Sequence, residues 1–144
     1  TEVRVGVEDF PLDDAALDFY RADLVPLLAF QRAFMVYHVG HMNVRLTDVE
    51  YFEGVTVRDY FANAPLPVVE VHLHDNDGHS DQHAYFGFGN IEFGEEGAAL
   101  DDIGFEGVST IEIAPGFFGM DREEAKPHAR ESLRRWRELW PRVS

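Results

Sequence analysis

Three observations predict a parallel α/β fold for this 144-residue chain. Four apolar, β-branched segments recur at intervals of roughly 30–40 residues, each short enough to be a buried strand. A helical pattern follows each one, and strands alternating with helices are the mark of a parallel sheet with helices outside. Finally, a potential metal ligand or base stands at or near the C-terminal end of each of the four strands, where parallel β/α folds assemble their sites.

The first strand is VRVGVE (Val3–Glu8), which ends on Glu8. LDDAALDFYRADLVPLLAFQ follows as a helix; aspartates cap its start, and Pro26 is expected to kink or split it. AFMVYHVG (Ala33–Gly40) is the second strand, with His38 and His41 at its end. TVRDYFANA is a short helix with Thr56 as its N-cap. PVVEVHLHD (Pro67–Asp75) is the third strand and carries His72 and His74, which share a face if the strand runs on. GEEGAALDDIG is another short helix, and GVSTIEIAP (Gly107–Pro115) is the last strand, carrying Glu112. DREEAKPHARESLRRWRELW closes the chain as a helix. Asp121 is its N-cap, and acids in the first turn with arginines later suit the helix dipole, while Pro127 falls near the first turns. With no linker or low-complexity tract visible, residues 1–144 are expected to form a single domain.

The formal charge is −15, from 27 acidic and 12 basic residues, and Lys126 is the one lysine. Such a field repels nucleic acid, and no basic stripe offsets it. It is also the composition expected of an acidic, salt-adapted (halophilic) protein, in which high ionic strength screens self-repulsion. There is no cysteine, so any metal must be held by His, Asp and Glu. No apolar run approaches the ~20 residues of a membrane span. The start, TEVRVGVEDF, lacks the features of a signal peptide, and a cytoplasmic location is the expectation.

VEVHLHDNDGHSDQHAYFGFGNIEF (Val69–Phe93) gathers four of the seven histidines and three aspartates. It is either a polar loop rich in His or part of a metal site. Glu112 lies in an apolar strand, where an unpaired carboxylate is costly, and this favours a functional or paired role. The same holds for Glu8, with helix capping or a solvated position as the lesser alternative. His79 is expected in a solvated loop and His128 on the surface. Gly87 and Gly89 could let a substrate phosphate approach closely, but a plain turn is the simpler reading of a lone Gly-x-Gly.

Taken together, these segments resemble the xylose-isomerase-like TIM barrels, a superfamily of sugar isomerases and epimerases that includes AP endonuclease family 2. The match is to the C-terminal half of the family's barrel. VGVEDF is similar to a strand ending in a metal-binding glutamate, which gives Glu8 that role. YHVGHMN resembles the Asp-x-Gly-His-x-Asn signature; His38 stands in place of the metal-binding Asp, and His41 matches the substrate-side or metal-side histidine. VHLHDN makes His72 a metal ligand and leaves His74 beside the substrate. GHSDQHAYFGFG places Asp81 and His83 as ligands of a second metal or as groups orienting other ligands, with Gly87 and Gly89 in the following turn. STIEI supplies Glu112 as the last metal-binding carboxylate.

The resemblance implies a divalent metal ion (Mn, Zn, Co or Mg) held by Glu8, His72 and Glu112, with His38 or a water completing the shell. Replacing the family's Asp by His38 shifts the preference towards zinc-like metals. It implies isomerisation or epimerisation of a small sugar or 2-hydroxy-carbonyl compound through an enediolate, with Glu8 and Glu112 moving the proton and His41 contacting a substrate oxygen. A whole (β/α)8 barrel needs about 250 residues, whereas four units make half a barrel with two open sheet edges. The chain would therefore be a fragment, a subunit completed by another chain, or one of two copies that close a barrel by symmetry. The rival readings are a non-catalytic metal- or partner-binding half barrel and an AP-endonuclease-like metal-dependent hydrolase, the latter disfavoured by the charge. A cupin barrel is argued against by the four helical segments.

Overall fold

A computed structural model describes residues 5–8, 33–46 and 54–141, together with Ala22 and Pro26. The predicted first helix, apart from those two positions, and Val3, Arg4 and Asp9 lie outside the described residues. The strands are β1 (Val5–Glu8), β2 (Ala33–His38), β3 (Val68–Leu73) and β4 (Val108–Ile111). The α-helices are α1 (Val39–Leu46), α2 (Val57–Asn63), α3 (Phe93–Asp102) and α4 (Arg122–Leu139).

The four strands form one sheet in the order β1-β2-β3-β4, and every pairing is parallel. Sequential parallel strands alternating with helices are the arrangement of half a (β/α)8 barrel. The register sets Glu8 beside Val36, His38 beside His72, and His72 beside Thr110. Side chains alternate across a strand, so one register row presents its side chains to one face.

The two faces differ. Met35, Tyr37, Val71 and Leu73 are fully buried and join Tyr60 and Phe61 of α2, Leu100 of α3 and Trp136 of α4 in the core. The opposite face carries Glu70, His72 and Thr110, none of them fully buried. Apolar burial against helices drives the first face together, while the second is left for chemistry.

The helix ends follow local chemistry. The Thr56 side chain accepts from the Asp59 backbone N–H, and the Asp59 carboxylate accepts from the Thr56 N–H, a reciprocal cap for α2. Asp121 and Glu124 do the same for α4. Pro127 sits inside α4 without ending it. Among the described residues, no helix is long and apolar enough to cross a membrane.

Two expectations are corrected. The second strand stops at His38, and the chain turns directly into α1, so Val39 and Gly40 are helical. The last strand stops at Ile111; Glu112 lies one residue beyond it, where its N–H donates to the Leu73 carbonyl at 3.0 Å. His128 is partly exposed, and its ring stacks on Tyr85 at 4.2 Å between centroids.

Candidate metal centre

Two groups of potential ligands lie at the C-terminal ends of the strands. The first is His38, His72 and Glu112; the second is His41, His74, Asp81 and His83. Within each group, one ligand atom from every residue lies within 4.8 Å of the others.

The first group is mounted on the sheet. Parallel register sets His38 against His72, and the backbone bond at the end of β4 holds Glu112 opposite them. Glu112 Oε2 lies 3.1 Å from His72 Nδ1, 3.6 Å from His38 Nδ1 and 3.7 Å from His83 Nδ1. The other nitrogen of His72, Nε2, is 3.0 Å from Glu70 Oε1, which also accepts from the Thr110 hydroxyl at 3.2 Å. A neutral imidazole has one N–H to give. Were that N–H given to Glu70, the Nδ1 lone pair would face the Glu112 carboxylate, and the two acceptors together could hold a cation. A carboxylate behind a ligating histidine is also the arrangement that fixes its tautomer in metal sites.

The second group joins α1 to the loop after β3. His41 Nε2 and His83 Nε2 lie 3.1 Å and 3.0 Å from Asp81 Oδ2, and His74 Nδ1 lies 3.7 Å from Asp81 Oδ1. His74 and His83 stack with centroids 3.8 Å apart, and His38 and His41 stack at 4.3 Å, so the two groups touch. His74 is completely buried, and neither of its ring nitrogens has a hydrogen-bond partner among the described residues. Burial first, and the neighbouring His83 second, push its pKa down to about 3, against the opposing pull of Asp81. The ring is therefore neutral, with a lone pair available. His83 adopts φ 47°, the left-handed region that a residue bearing a Cβ rarely occupies and that concentrates at functional sites.

These features fit a divalent cation. Buried polar nitrogens are normally satisfied, and a metal ion would satisfy one of the two that His74 leaves without a partner. Three imidazoles and one carboxylate match the four ligands and the N/O donors of zinc-like ions.

The predicted residues are distributed unevenly. His38, His72 and Glu112 come together, as do Asp81 and His83. His41 and His74, expected on the substrate side, stand among the potential ligands of the second group. Glu8 is exposed at the end of β1, in register with Val36 two residues before His38, and belongs to neither group. Gly87 and Gly89 do not offer their amides to a substrate phosphate, because both N–H groups donate to Asp75 Oδ2, at 2.8 and 3.0 Å. Gly89 must be glycine for another reason, since a Cβ there would fall 1.8 Å from the Asn76 carbonyl oxygen. His79 is exposed, as expected.

Sequence reasoning missed Glu70, Asp75, Asn76 and the Asp77–Gln82 pair. Asp77 Oδ1 accepts the N–H groups of His79 and Ser80, while Gln82 Nε2 donates to Asp77 Oδ2 at 3.0 Å, which folds the ligand loop. Those bonds, the His79 N–H foremost, hold the Asp77 carboxyl below its usual range. The Asp-Asn-Asp-Gly run was an available signal, because these residues close turns with their own side chains.

No protein-family model matches the chain. An uncharacterized protein of Methanocaldococcus jannaschii is 28% identical over 113 residues, which cover 76% of this chain and 36% of that protein. Fructoselysine 3-epimerase of Shigella flexneri is 33% identical over 91 residues, covering 63% and 32%. Among solved structures, a D-tagatose 3-epimerase-like protein aligns with a TM-score of 0.55 at 25% identity, covering 96% of this chain and 48% of that one. D-psicose 3-epimerase from Clostridium cellulolyticum H10 aligns at 0.63 with 15% identity, covering 93% and 48%, a likeness of fold alone. The chain thus spans about a third of the length of these relatives and about half that of the solved structures. By fold, and over part of its sequence, it is similar to sugar 3-epimerases of the xylose-isomerase-like TIM-barrel kind, and its four parallel strands make half such a barrel.

Proposed function

We propose that this chain carries the metal-binding part of a sugar isomerase or epimerase acting on a small sugar or 2-hydroxy-carbonyl compound. The observation that carries the reading is Glu112, whose Oε2 lies 3.1–3.7 Å from three imidazoles and so stands between the two donor groups. His38, His72 and Glu112 would hold one divalent ion (Mn, Zn, Co or Mg), and His41, His74, Asp81 and His83 would hold a second. A bound ion would supply Lewis-acid stabilisation of the charge that develops as an enediolate forms.

The chain's own part is to hold and move a proton. Glu112, just past the end of β4, would take it from the substrate carbon, and Glu8, on the outer strand of the same sheet, is the candidate for the opposite side. Glu70 holds His72 in one tautomer. The epimerase names of similar proteins support the substrate class. The lengths of those proteins support completion of the barrel by further polypeptide, whether a complementary half-barrel chain or a second copy.

A second reading, a metal-dependent hydrolase, is favoured by one observation. Two donor groups in contact through Glu112 and the stacked His38 and His41 rings suit a two-ion site.

The test is metal content per chain on purified protein, with mass by light scattering. One or two Mn, Co or Zn per chain are expected, with Glu112→Gln lowering affinity at least about 100-fold, more than loss of an outer partner costs. A chain that takes up no divalent cation overturns both readings.

A further inference from the structure

We infer that Asn76, which belongs to neither donor group, is the positioning residue that assembles the second one. This rests on the reading of His41, His74, Asp81 and His83 as a metal site. Its four residues come from two pieces of chain: His41 from α1, the others from the segment after β3. Nothing in the local conformation of either piece brings them together.

Asn76 does. It is fully buried, and all its polar atoms are engaged. Its Nδ2 donates to the Gly40 carbonyl at 2.7 Å, next to His41. Its Oδ1 accepts the Gly78 N–H at 3.0 Å, inside the ligand loop, and the Asn43 side chain at 2.8 Å, one turn along α1. The Asn43 amide also reaches Asn90 Oδ1 at 2.7 Å, and the Asn90 N–H returns to the Asn76 carbonyl at 3.0 Å. A backbone carbonyl on one side and a backbone N–H on the other leave only one orientation for the Asn76 amide. The packing is equally close, since a Cβ on Gly40 would lie 2.2 Å from the His74 ring and 2.9 Å from Asn76 Nδ2. The carboxamide therefore sets how far α1 stands from the loop, and with it the distance from His41 to Asp81 and His83. Asp75 secures the other side by accepting the N–H groups of Asn76, Gly87 and Gly89.

Asn76→Asp keeps the size and the acceptor but turns an oxygen towards the Gly40 carbonyl, and Asn43→Ala removes the α1 side of the clamp from a less buried position. Ser132→Ala is the control: Ser132 is equally buried and accepts the Phe86 N–H at 3.1 Å, away from both groups. The chain is titrated with Co(II), and the absorption lost in Asp81→Asn identifies the second group's ion. The expected result is a roughly 10- to 100-fold weaker affinity for that ion in Asn76→Asp and Asn43→Ala, with the first group's ion and Ser132→Ala unchanged. Wild-type affinity in both variants overturns the assignment. So does equal weakening in Ser132→Ala, which would mark a general loss of stability. Absence of any Asp81-dependent absorption in the wild type instead overturns the metal reading on which the assignment rests.

Discussion

The two faces of β3 show how one strand serves stability and chemistry at once. Val71 and Leu73 are fully buried beneath the helices, whereas Glu70 and His72, between and beside them, retain exposure and reach Thr110 and Glu112. On the helix side, energy comes from area removed from water and is insensitive to the exact partner. On the other side, every contact is polar, directional and tied to one residue. Truncation should therefore destabilise on the first face and disarm on the second.

The largest expected effect is Leu73→Ala, with a loss of about 2–5 kcal/mol, read by urea denaturation, and unchanged metal stoichiometry in whatever fraction stays folded. Glu112→Gln, treated above, should do the reverse: metal affinity lost, stability of the metal-free chain almost unmoved. If both variants changed both readouts, the division between the faces would be wrong.

Glu96 sharpens the contrast, because it is a carboxyl on the apolar side. Its Oε2 accepts the Tyr37 hydroxyl at 2.9 Å, and burial pushes its pKa up to about 7, the Tyr37 bond opposing. A carboxyl with a raised folded pKa binds its proton more tightly folded than unfolded. It therefore costs nothing below its ordinary pKa of 4.5, and stability falls as pH rises from there through about 7. Glu96→Gln keeps an acceptor for Tyr37 and should stabilise the chain by about 2 kcal/mol at pH 8, after a discount for partial exposure, and hardly at all at pH 4. Denaturation of both proteins at the two pH values measures it, and an equal gain at both would show that ionisation is not the cause.

The smallest effect belongs to neither face. Thr56→Ala removes one half of the α2 cap and should cost about 1 kcal/mol, seen as a shifted denaturation midpoint with metal binding intact.

The sheet was legible because its strands are continuous β-branched runs and its helices carry Thr56 and Asp121 at their starts. His38, His72 and Glu112 could be anticipated because strand ends gather side chains wherever a sheet is parallel. α1 was not legible. VGHMNVRL has no acid in its first turn, and its first residues are buried against the sheet and the ligand loop, so packing rather than local preference makes it helical. The burial of His74 and the reach of Asn76 were equally hidden. Both depend on groups brought from about 36 residues away, a separation no short-range pattern records. Nothing in the sequence singles out Glu70; the register, which sets His72 beside Thr110, is what brings the Thr110 hydroxyl onto its carboxylate.

The junction at His38 has a mechanical consequence. Val39 opens α1 directly after the last residue of β2, leaving no intervening residue to act as a hinge. His38 and His41 therefore ride on one stiff arm rooted in the sheet. A tilt of the helix large enough to move one ring would drag the other and strain the strand's pairing with β3.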